Sequence, residues 1–177
     1  MFEPKTNYAK IAFDAILFFV STDQINKISN EKIPADLKLN RACLVLVYDL
    51  NDNLLRTYGG VNPKNDFLYD EIIENAIGAA KKGKTGESIK SNQLNQIKVF
   101  VEVFSVPHKA EDLSELKPQK HGLLIQNASG EIKFIMPNLK GINTIDQQIE
   151  QLKKEAGITE KDNSKLDLWV FKTTRYD

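Results

Sequence analysis

Two pairs of strand-like segments, each joined by a short turn, constrain the fold of this sequence most. The segment "ACLVLVYDL" (42–50) is apolar and rich in β-branched residues, and after "NDN" the chain returns as "LLRTY" (54–58). The segments "HGLLIQ" and "IKFIM" repeat this arrangement around Gly130. Short turns join antiparallel strands, whereas parallel strands need a long crossover connection. The sequence therefore predicts two hairpins in a mostly antiparallel sheet.

Three further segments show helical periodicity, and two more are typical of strands. Apolar side chains recur at three- and four-residue steps in 7–20, 67–82 and 143–157, and the last of these carries Thr144 and Gln147 at capping-box spacing. Strands are expected at 97–106, which alternates and is rich in valine and phenylalanine, and at 165–175. A regular strand–helix–strand alternation is absent, which disfavours a doubly wound nucleotide-binding fold. The predicted class is α+β, a mostly antiparallel sheet flanked by helices.

The length favours one domain. A chain of 177 residues with 41% apolar side chains can build a real core. We therefore expect a single domain over 1–177 with two lobes, the smaller formed by about 107–160.

Charge and cysteine content limit the class of partner. Lys plus Arg and Asp plus Glu both number 24, so no global charge attracts nucleic acid or anionic lipid. The lysine-rich stretch 81–90 is the local exception and keeps nucleic-acid binding open as a minor alternative. One cysteine excludes an internal disulfide and suits a reducing compartment, and the apolar run 15–20 is too short to span a membrane. We expect a cytoplasmic protein without a membrane segment.

The stretch "LLRTYGGV" (54–61) raises the question of a ligand site. It lacks the spacing of a phosphate-binding loop, and no helix begins directly after it. Gly59 and Gly60 are explained either by a positive φ or close backbone approach, or by contact with a ligand. Arg56 and Tyr58 would then supply an anion anchor and an aromatic wall.

Other reactive residues give weaker signals. Cys43 lies mid-strand among apolar residues, where a small buried side chain is the ordinary interpretation. His108 and His121 are too isolated in the sequence to predict a metal site. We expect no metal and no cofactor.

Glu102 is the only carboxylate within the apolar run "VFVEVF". A carboxylate that points outward from an edge strand would be unremarkable, whereas a buried one needs a partner or shifts its pKa. Arg56 is the natural partner if Glu102 points inward. Glu102 and Tyr58 are therefore the candidate acid–base residues.

The order of these segments resembles the AMMECR-type domain family over nearly the whole chain. The matching pieces are "YAKIAFDAILFF", "RACLVLVYDLNDNLLR", "IENAIGAA", "LNQIKVFVEVFSVP", "HGLLIQ" with "FIMPNL", and "KKEAGI". Glu102 stands where the family has its usual glutamate. The resemblance implies a two-lobed α+β fold with a cleft lined by the signature strand.

The family's Arg-Gly-Cys-Ile-Gly signature falls on residues 56–60, with Tyr58 in place of the cysteine and Thr57 in place of the first glycine. An Asp-Pro-Arg-Phe segment expected near 83–88 is missing. An activity that needs the thiol therefore does not transfer to this divergent member.

Two functions follow from the resemblance and the residues together. One is a non-enzymatic binding or accessory module that holds a protein partner or a small anionic ligand, with Memo-like or radical-SAM proteins as partners implied by the family. The alternative is a small enzyme that uses Glu102 as acid or base, with Arg56 and Tyr58 in an inter-lobe cleft. Ligand identity and oligomeric state are beyond the sequence.

Overall fold

The computed structural model describes residues 2–81, 87–126, 130–158 and 167–177. The chain divides into two compact units, residues 1–103 with 174–177, and residues 104–173. The helices and strands are α1 (Asn7–Thr22), β1 (Cys43–Asp49), β2 (Leu54–Gly59), α2 (Leu68–Lys81), β3 (Ile97–Phe104), β4 (His108–Lys109), β5 (Gly122–Gln126), β6 (Ile132–Ile135), α3 (Ile145–Glu155), β7 (Trp169–Phe171) and β8 (Thr173–Tyr176).

The first unit contains α1, α2 and a four-stranded sheet in the order β2-β1-β3-β8. Thr6 caps α1 by accepting a hydrogen bond from the Ala9 N–H at 3.3 Å. The buried stripe of α2 packs on the β1 face that carries Val45 and Val47, and α1 packs on α2. The core of this unit therefore lies between the helices and one face of the sheet.

The first hairpin is held by its aspartate. Asp49 Oδ1 accepts hydrogen bonds from the N–H groups of Asn51 and Asn53, each at 2.9 Å, and Asp52 adopts a φ of 63°. Aspartate and asparagine favour such turns because their side chains bond to nearby backbone and because they tolerate left-handed φ. The predicted β1–β2 hairpin is confirmed.

The second unit contains α3 and a sheet in the order β4-β7-β5-β6. Its core is built from Leu123, Ile125, Ile135, Leu152 and Val170. The β5–β6 hairpin and the capping box at the start of α3 are both confirmed. Buried Gln148 ties α3 to the strands by donating to the carbonyls of His121 and Met136 at 2.9 and 3.3 Å.

The predicted single strand over 165–175 is wrong. β7 pairs within the second sheet, whereas β8 pairs with β3 in the first, and Lys172 lies between them. The Lys172 N–H donates to Ser105 Oγ at 3.0 Å, and its carbonyl accepts from the Ser105 N–H at 2.9 Å. The segment that follows β3 also contributes the short strand β4.

The predicted class is confirmed: helices accompany two antiparallel four-stranded sheets. The single-domain expectation and the lobe at about 107–160 stay predictions. No helix in the described part of the chain is long and apolar enough to cross a membrane. The expected cytoplasmic location stays a prediction as well.

Candidate ligand-binding site

The register of the first hairpin places Arg56 and Tyr58 on one face of the sheet. Tyr58 lies opposite Val45, and Arg56 lies opposite Val47. Both valines belong to the core beneath α1 and α2. Because side chains alternate along a strand, Arg56 and Tyr58 both point to the helical side.

Tyr58 packs directly on α2 at Gly78. A Cβ atom added to Gly78 would lie 2.3 Å from both Cδ1 and Cε1 of the tyrosine ring. No real side chain tolerates that separation, so the absence of a side chain at Gly78 is what admits the ring. Lys64 Nζ approaches the same ring, 5.8 Å from its centroid.

A pocket of about 290 Å³ opens beside Tyr58. Residues of α2 supply most of its wall, and Tyr58 on β2 and the segment after α1 supply the rest. Its lining residues are Ile25, Lys27, Tyr58, Ile73, Glu74, Ile77, Gly78 and Lys81. All eight belong to the first unit. The lining is apolar except for two lysines, one glutamate and the tyrosine hydroxyl.

The charged residues of this pocket differ in what already contacts them. Lys27 Nζ forms an ion pair with Asp70 Oδ1 at 2.7 Å. Glu74 accepts a hydrogen bond from Asn65 Nδ2 at 3.0 Å and lies 3.8 Å from Lys64 Nζ. Lys81 Nζ lies 4.6 Å from the centroid of the Phe19 ring. Within the described ranges Lys81 has no carboxylate partner, so it is the pocket cation best able to meet an anion.

Arg56 has a different immediate role. Its Nη1 donates to the carbonyl of Glu87, and the side chain is half-buried. Burial lowers the pKa of Arg56 from its ordinary value, and the nearby Glu87 carboxylate opposes that shift. Arg56 does not line the pocket. Its predicted role as an anion anchor stays a prediction.

The adjacent glycines are not equivalent. Gly59 adopts a φ of 124°, and a Cβ there would lie 2.2 Å from the Cys43 carbonyl oxygen and 2.9 Å from Asn75 Nδ2. At Gly60 an added Cβ meets nothing within 4 Å. Gly59 is therefore required by close backbone approach at the strand end, which is one of the two explanations that the sequence left open. Ligand contact by either glycine stays a prediction.

A buried polar network that was not predicted from the sequence lies beneath this strand end. Glu71 Oε2 accepts from the N–H groups of Lys64 and Asn65, at 2.9 and 3.1 Å, and from Asn65 Nδ2 at 3.0 Å. Asn75 Nδ2 donates to the Cys43 carbonyl at 3.0 Å and lies 3.3 Å from Glu71 Oε1. These bonds fasten the loop after β2 to α2. The available signal was two polar side chains four residues apart beside an apolar helix stripe.

Cys43 lies in the same network and is fully buried. Burial raises the pKa of its thiol to about 12, although the hydrogen bond from Asn75 Nδ2 opposes the shift. A thiol in this state is a poor nucleophile. The interpretation of Cys43 as a small buried side chain is confirmed.

Glu102 lies on the opposite face of the sheet from Arg56 and Tyr58. It pairs with Leu44, whereas the other two pair with Val47 and Val45, and neighbouring strand positions alternate faces. The hypothesis that Arg56 partners Glu102 is therefore wrong. The three residues do not share one site, which removes the acid–base arrangement proposed for an enzyme.

The partner of Glu102 is Arg175 on β8, with Nη1 and Oε1 3.9 Å apart. The Arg175 guanidinium also lies 4.2 Å from the Phe100 ring centroid and 5.0 Å from that of Tyr48. Burial raises the pKa of Glu102, and Arg175 reduces the shift. Glu102 thus joins β3 to the last strand.

Two sequence features fall partly outside the described residues, namely the lysine-rich stretch 81–90 and the segment 83–88, of which residues 82–86 are not described. His108 and His121 lie in the second unit. In the described ranges, no three His, Cys, Asp or Glu side chains are grouped so that they could hold a metal ion.

The fold is shared with a solved structure. The uncharacterised protein PH0010 from Pyrococcus horikoshii superposes with a TM-score of 0.82, over 95% of this chain and 88% of that one, at 16% identity. At that identity the likeness shows the fold alone.

Sequence comparison gives the family. A Thermotoga maritima protein is 29% identical over 170 residues, 96% of each chain. Protein CA_C1420 of Clostridium acetobutylicum is 25% identical over 175 residues, which are 98% of this chain and 36% of that protein. This chain thus spans about a third of the length of the Clostridium protein. The AMMECR1 family matches residues 9–176. The match extends over nearly the whole sequence, and the chain therefore belongs to the AMMECR1 family.

Proposed function

We propose that this protein is a non-enzymatic binding module whose pocket beside Tyr58 takes an apolar side chain of a partner protein, with an acidic residue next to it. The main observation in support is that the Tyr58 ring packs against Gly78 and forms a wall of the pocket. In the resemblance drawn from the sequence, Tyr58 takes the place of the cysteine of the family signature. An aromatic wall gains more apolar contact area than a thiol does.

The size of the pocket favours one side chain over a large cofactor. Its volume of about 290 Å³ lies just below the range for ligand pockets, roughly 300–1,000 Å³. The apolar contacts from Ile73 and Ile77 suit a leucine-sized group. Burying such a side chain contributes about 1.5–3 kcal/mol before the cost of association.

The charge of the pocket favours an acidic neighbour on the ligand. The pocket has two lysines, Lys27 and Lys81, and one glutamate, Glu74. Lys27 and Glu74 each already have a partner of opposite charge. Lys81 is therefore the group that would meet the ligand carboxylate. An exposed pair of this kind adds less than about 1 kcal/mol, so it tunes selectivity while the apolar contact supplies most of the affinity.

The separation of Glu102 from Tyr58 supports binding over catalysis. The only acid–base set that the sequence suggested is divided between two faces of the sheet. The thiol of Cys43 is buried in its hydrogen-bonded network.

The partner class follows from the family. Memo-like and radical-SAM proteins are the candidates that the family resemblance implies. The Clostridium relative supports an accessory role, because a segment similar to this chain is there part of a much longer protein. Co-purification of a tagged copy with each candidate from the same cells tests the pairing, and loss of a captured partner in Gly78→Ala would locate the contact at the pocket.

The binding experiment uses a minimal probe, N-acetyl-Leu-Asp-amide, titrated into isotope-labelled protein and followed by NMR. We expect saturable shifts of amide resonances around Ile77 and Gly78. Gly78→Ala should abolish saturation because its Cβ displaces the Tyr58 ring. Gly60→Ala is the matched control, since its Cβ enters open space. Absence of saturation in the unaltered protein, or equal binding by Gly78→Ala, would refute the site.

A further inference from the structure

The second unit carries a cluster of basic side chains that the pocket does not involve. Lys117 and Lys120 lie in the turn before β5, Lys172 lies between β7 and β8, and His108 lies on β4, all around His121. The chain as a whole is neutral, with 24 basic and 24 acidic residues, so this concentration of one sign is local.

The strand register explains why residues far apart in the sequence meet here. Gly122 pairs with Phe171, which brings His121 and Lys172 to the same end of the sheet. His108 pairs with Val170 on the other side of β7. The Lys117 N–H donates to His121 Nδ1 at 2.9 Å and so ties the turn to the histidine. The cluster is thus built on backbone pairing.

The lysines of the cluster form no ion pair with the residues that the structure describes. Lys109, the next residue along β4, forms an ion pair with Asp167 at 2.6 Å. Lys117, Lys120 and Lys172 have no such carboxylate in the part of the chain that the structure describes, and all three are exposed. Three ammonium groups without an ion pair among the described residues thus lie near one imidazole, and we expect their positive potentials to add.

The hydrogen bond to His121 determines which ring nitrogen carries the proton in the neutral form. Because Nδ1 accepts from the Lys117 backbone, the neutral ring carries its proton on Nε2. Burial lowers the pKa of His121, and Lys172, Lys120, His108 and Lys117 lower it further. The ring is therefore a neutral N–H donor surrounded by cations, a combination that suits an oxyanion.

We propose that the turn before β5, together with Lys172 and His121, forms a second binding site, which takes the phosphate group of a small phosphorylated molecule. Three lysines match a dianion better than a single carboxylate. Their concentration at one sheet end fits one phosphate group, in contrast to the extended basic stripe that a nucleic acid backbone requires. This site is independent of the pocket beside Tyr58.

The test follows the Hε1 resonance of His121 by NMR while inorganic phosphate is added at constant ionic strength. We expect a saturable shift and a rise in the pKa of His121, since a bound anion favours the imidazolium form. Sulfate should reproduce the saturation, and acetate should bind at least roughly tenfold more weakly. A linear response without saturation would overturn the proposal.

Matched triple variants distinguish phosphate binding at this site from a general effect of net charge. Lys117→Gln/Lys120→Gln/Lys172→Gln should weaken phosphate binding by at least about tenfold, a loss of roughly 1.4 kcal/mol. Lys140→Gln/Lys153→Gln/Lys154→Gln removes the same charge elsewhere in the unit and should leave binding within about twofold. Equal losses in both variants would overturn the proposal.

Vesicles containing phosphatidic acid distinguish a lipid headgroup from a free phosphorylated molecule. Sedimentation with vesicles in the absence of saturable binding of inorganic phosphate would also overturn the proposal. Binding of phosphate without sedimentation would support it.

Discussion

At the scale of single residues, the signature stretch places a pocket-lining residue next to one confined by backbone packing. Tyr58 lines a pocket, whereas the next residue, Gly59, is confined by the Cys43 carbonyl and the Asn75 amide. The stretch that looked like one motif in the sequence therefore contains residues constrained for different reasons.

Gly59→Ala tests the close approach. The Cβ atom would lie 2.2 Å from a backbone oxygen, and the φ of 124° is strained for any residue with a side chain. We expect the free energy of unfolding in urea to fall by at least about 2 kcal/mol. Gly60→Ala, with nothing within 4 Å, is the matched control and should change it by less than about 0.5 kcal/mol. Equal effects at both positions would contradict the geometry.

Cys43 should be unreactive in the folded protein. Raising the pKa of its thiol from 9.0 to about 12 lowers the thiolate fraction at mildly alkaline pH by about a thousandfold. We expect alkylation by iodoacetamide at about pH 8 to be at least a hundredfold slower than that of a free cysteine, and ordinary in urea. Rapid labelling without denaturant would show that the thiol is accessible.

At the scale of helices and strands, local chemistry determined most of what the sequence could predict. The β1–β2 turn is held by Asp49, and α3 begins at the capping box of Thr144 and Gln147, both of which are read from a few adjacent letters. The pairing of strands far apart in the sequence could not be predicted. Residues 169–176 have continuous strand propensity, and only their pairing with different strands divides them at Lys172.

Thr144→Ala tests the cap of α3. Thr144 Oγ1 accepts from the Gln147 N–H at 3.2 Å, and Gln147 Oε1 accepts from the Asn143 N–H at 2.8 Å. Loss of the hydroxyl should lower the free energy of unfolding by about 1 kcal/mol. Thr144→Ser keeps an acceptor and should retain most of the stability. A loss in Thr144→Ser as large as that in Thr144→Ala would exclude capping as the cause.

The candidate site was only partly predictable because it also depends on contacts between segments far apart in the sequence. Tyr58 was identified from its place in the signature, but the wall it faces depends on Gly78, whose spacing from Tyr58 carries no signal. The assignment of Glu102 to the same site failed because a single sequence does not fix the register between β1 and β3. One residue of slip would have reversed its face.

At the scale of the whole molecule, the last strand returns to the first sheet. Arg175 on β8 contacts Glu102 on β3 and lies near the Tyr48 and Phe100 rings. The Asp177 carbonyl accepts from the N–H groups of Lys5 and Thr6 at 2.9 and 2.7 Å. The first unit is therefore assembled from residues at both ends of the sequence. Its stability should respond to the charge state of Glu102.

Glu102→Gln tests this dependence. A carboxyl whose pKa is raised by folding stabilises the fold below its unfolded pKa and loses that contribution as the pH rises through the folded value. Glutamine does not titrate, so the variant does not lose stability in this way as the pH rises. The unfolding free energy of Glu102→Gln minus that of the parent should therefore increase as the pH rises above about 4.5, the ordinary pKa of glutamate.

Arg175 provides the control for this pH dependence. Arg175 opposes the rise in the pKa of Glu102, so the increase should be larger when both proteins carry Arg175→Gln. A difference that is flat or decreases with pH would contradict the burial of a charged Glu102.

The most direct measurement of the proposed binding site compares two probes that differ only in charge. N-acetyl-Leu-Asp-amide and N-acetyl-Leu-Asn-amide are titrated into the parent, Lys81→Gln and the control Lys10→Gln, whose lysine pairs with Asp14 on α1 away from the pocket. We expect the parent and Lys10→Gln to prefer the aspartate probe by about two- to fivefold and Lys81→Gln to lose this preference. An unchanged preference in Lys81→Gln, or none in the parent, would contradict the proposed binding site.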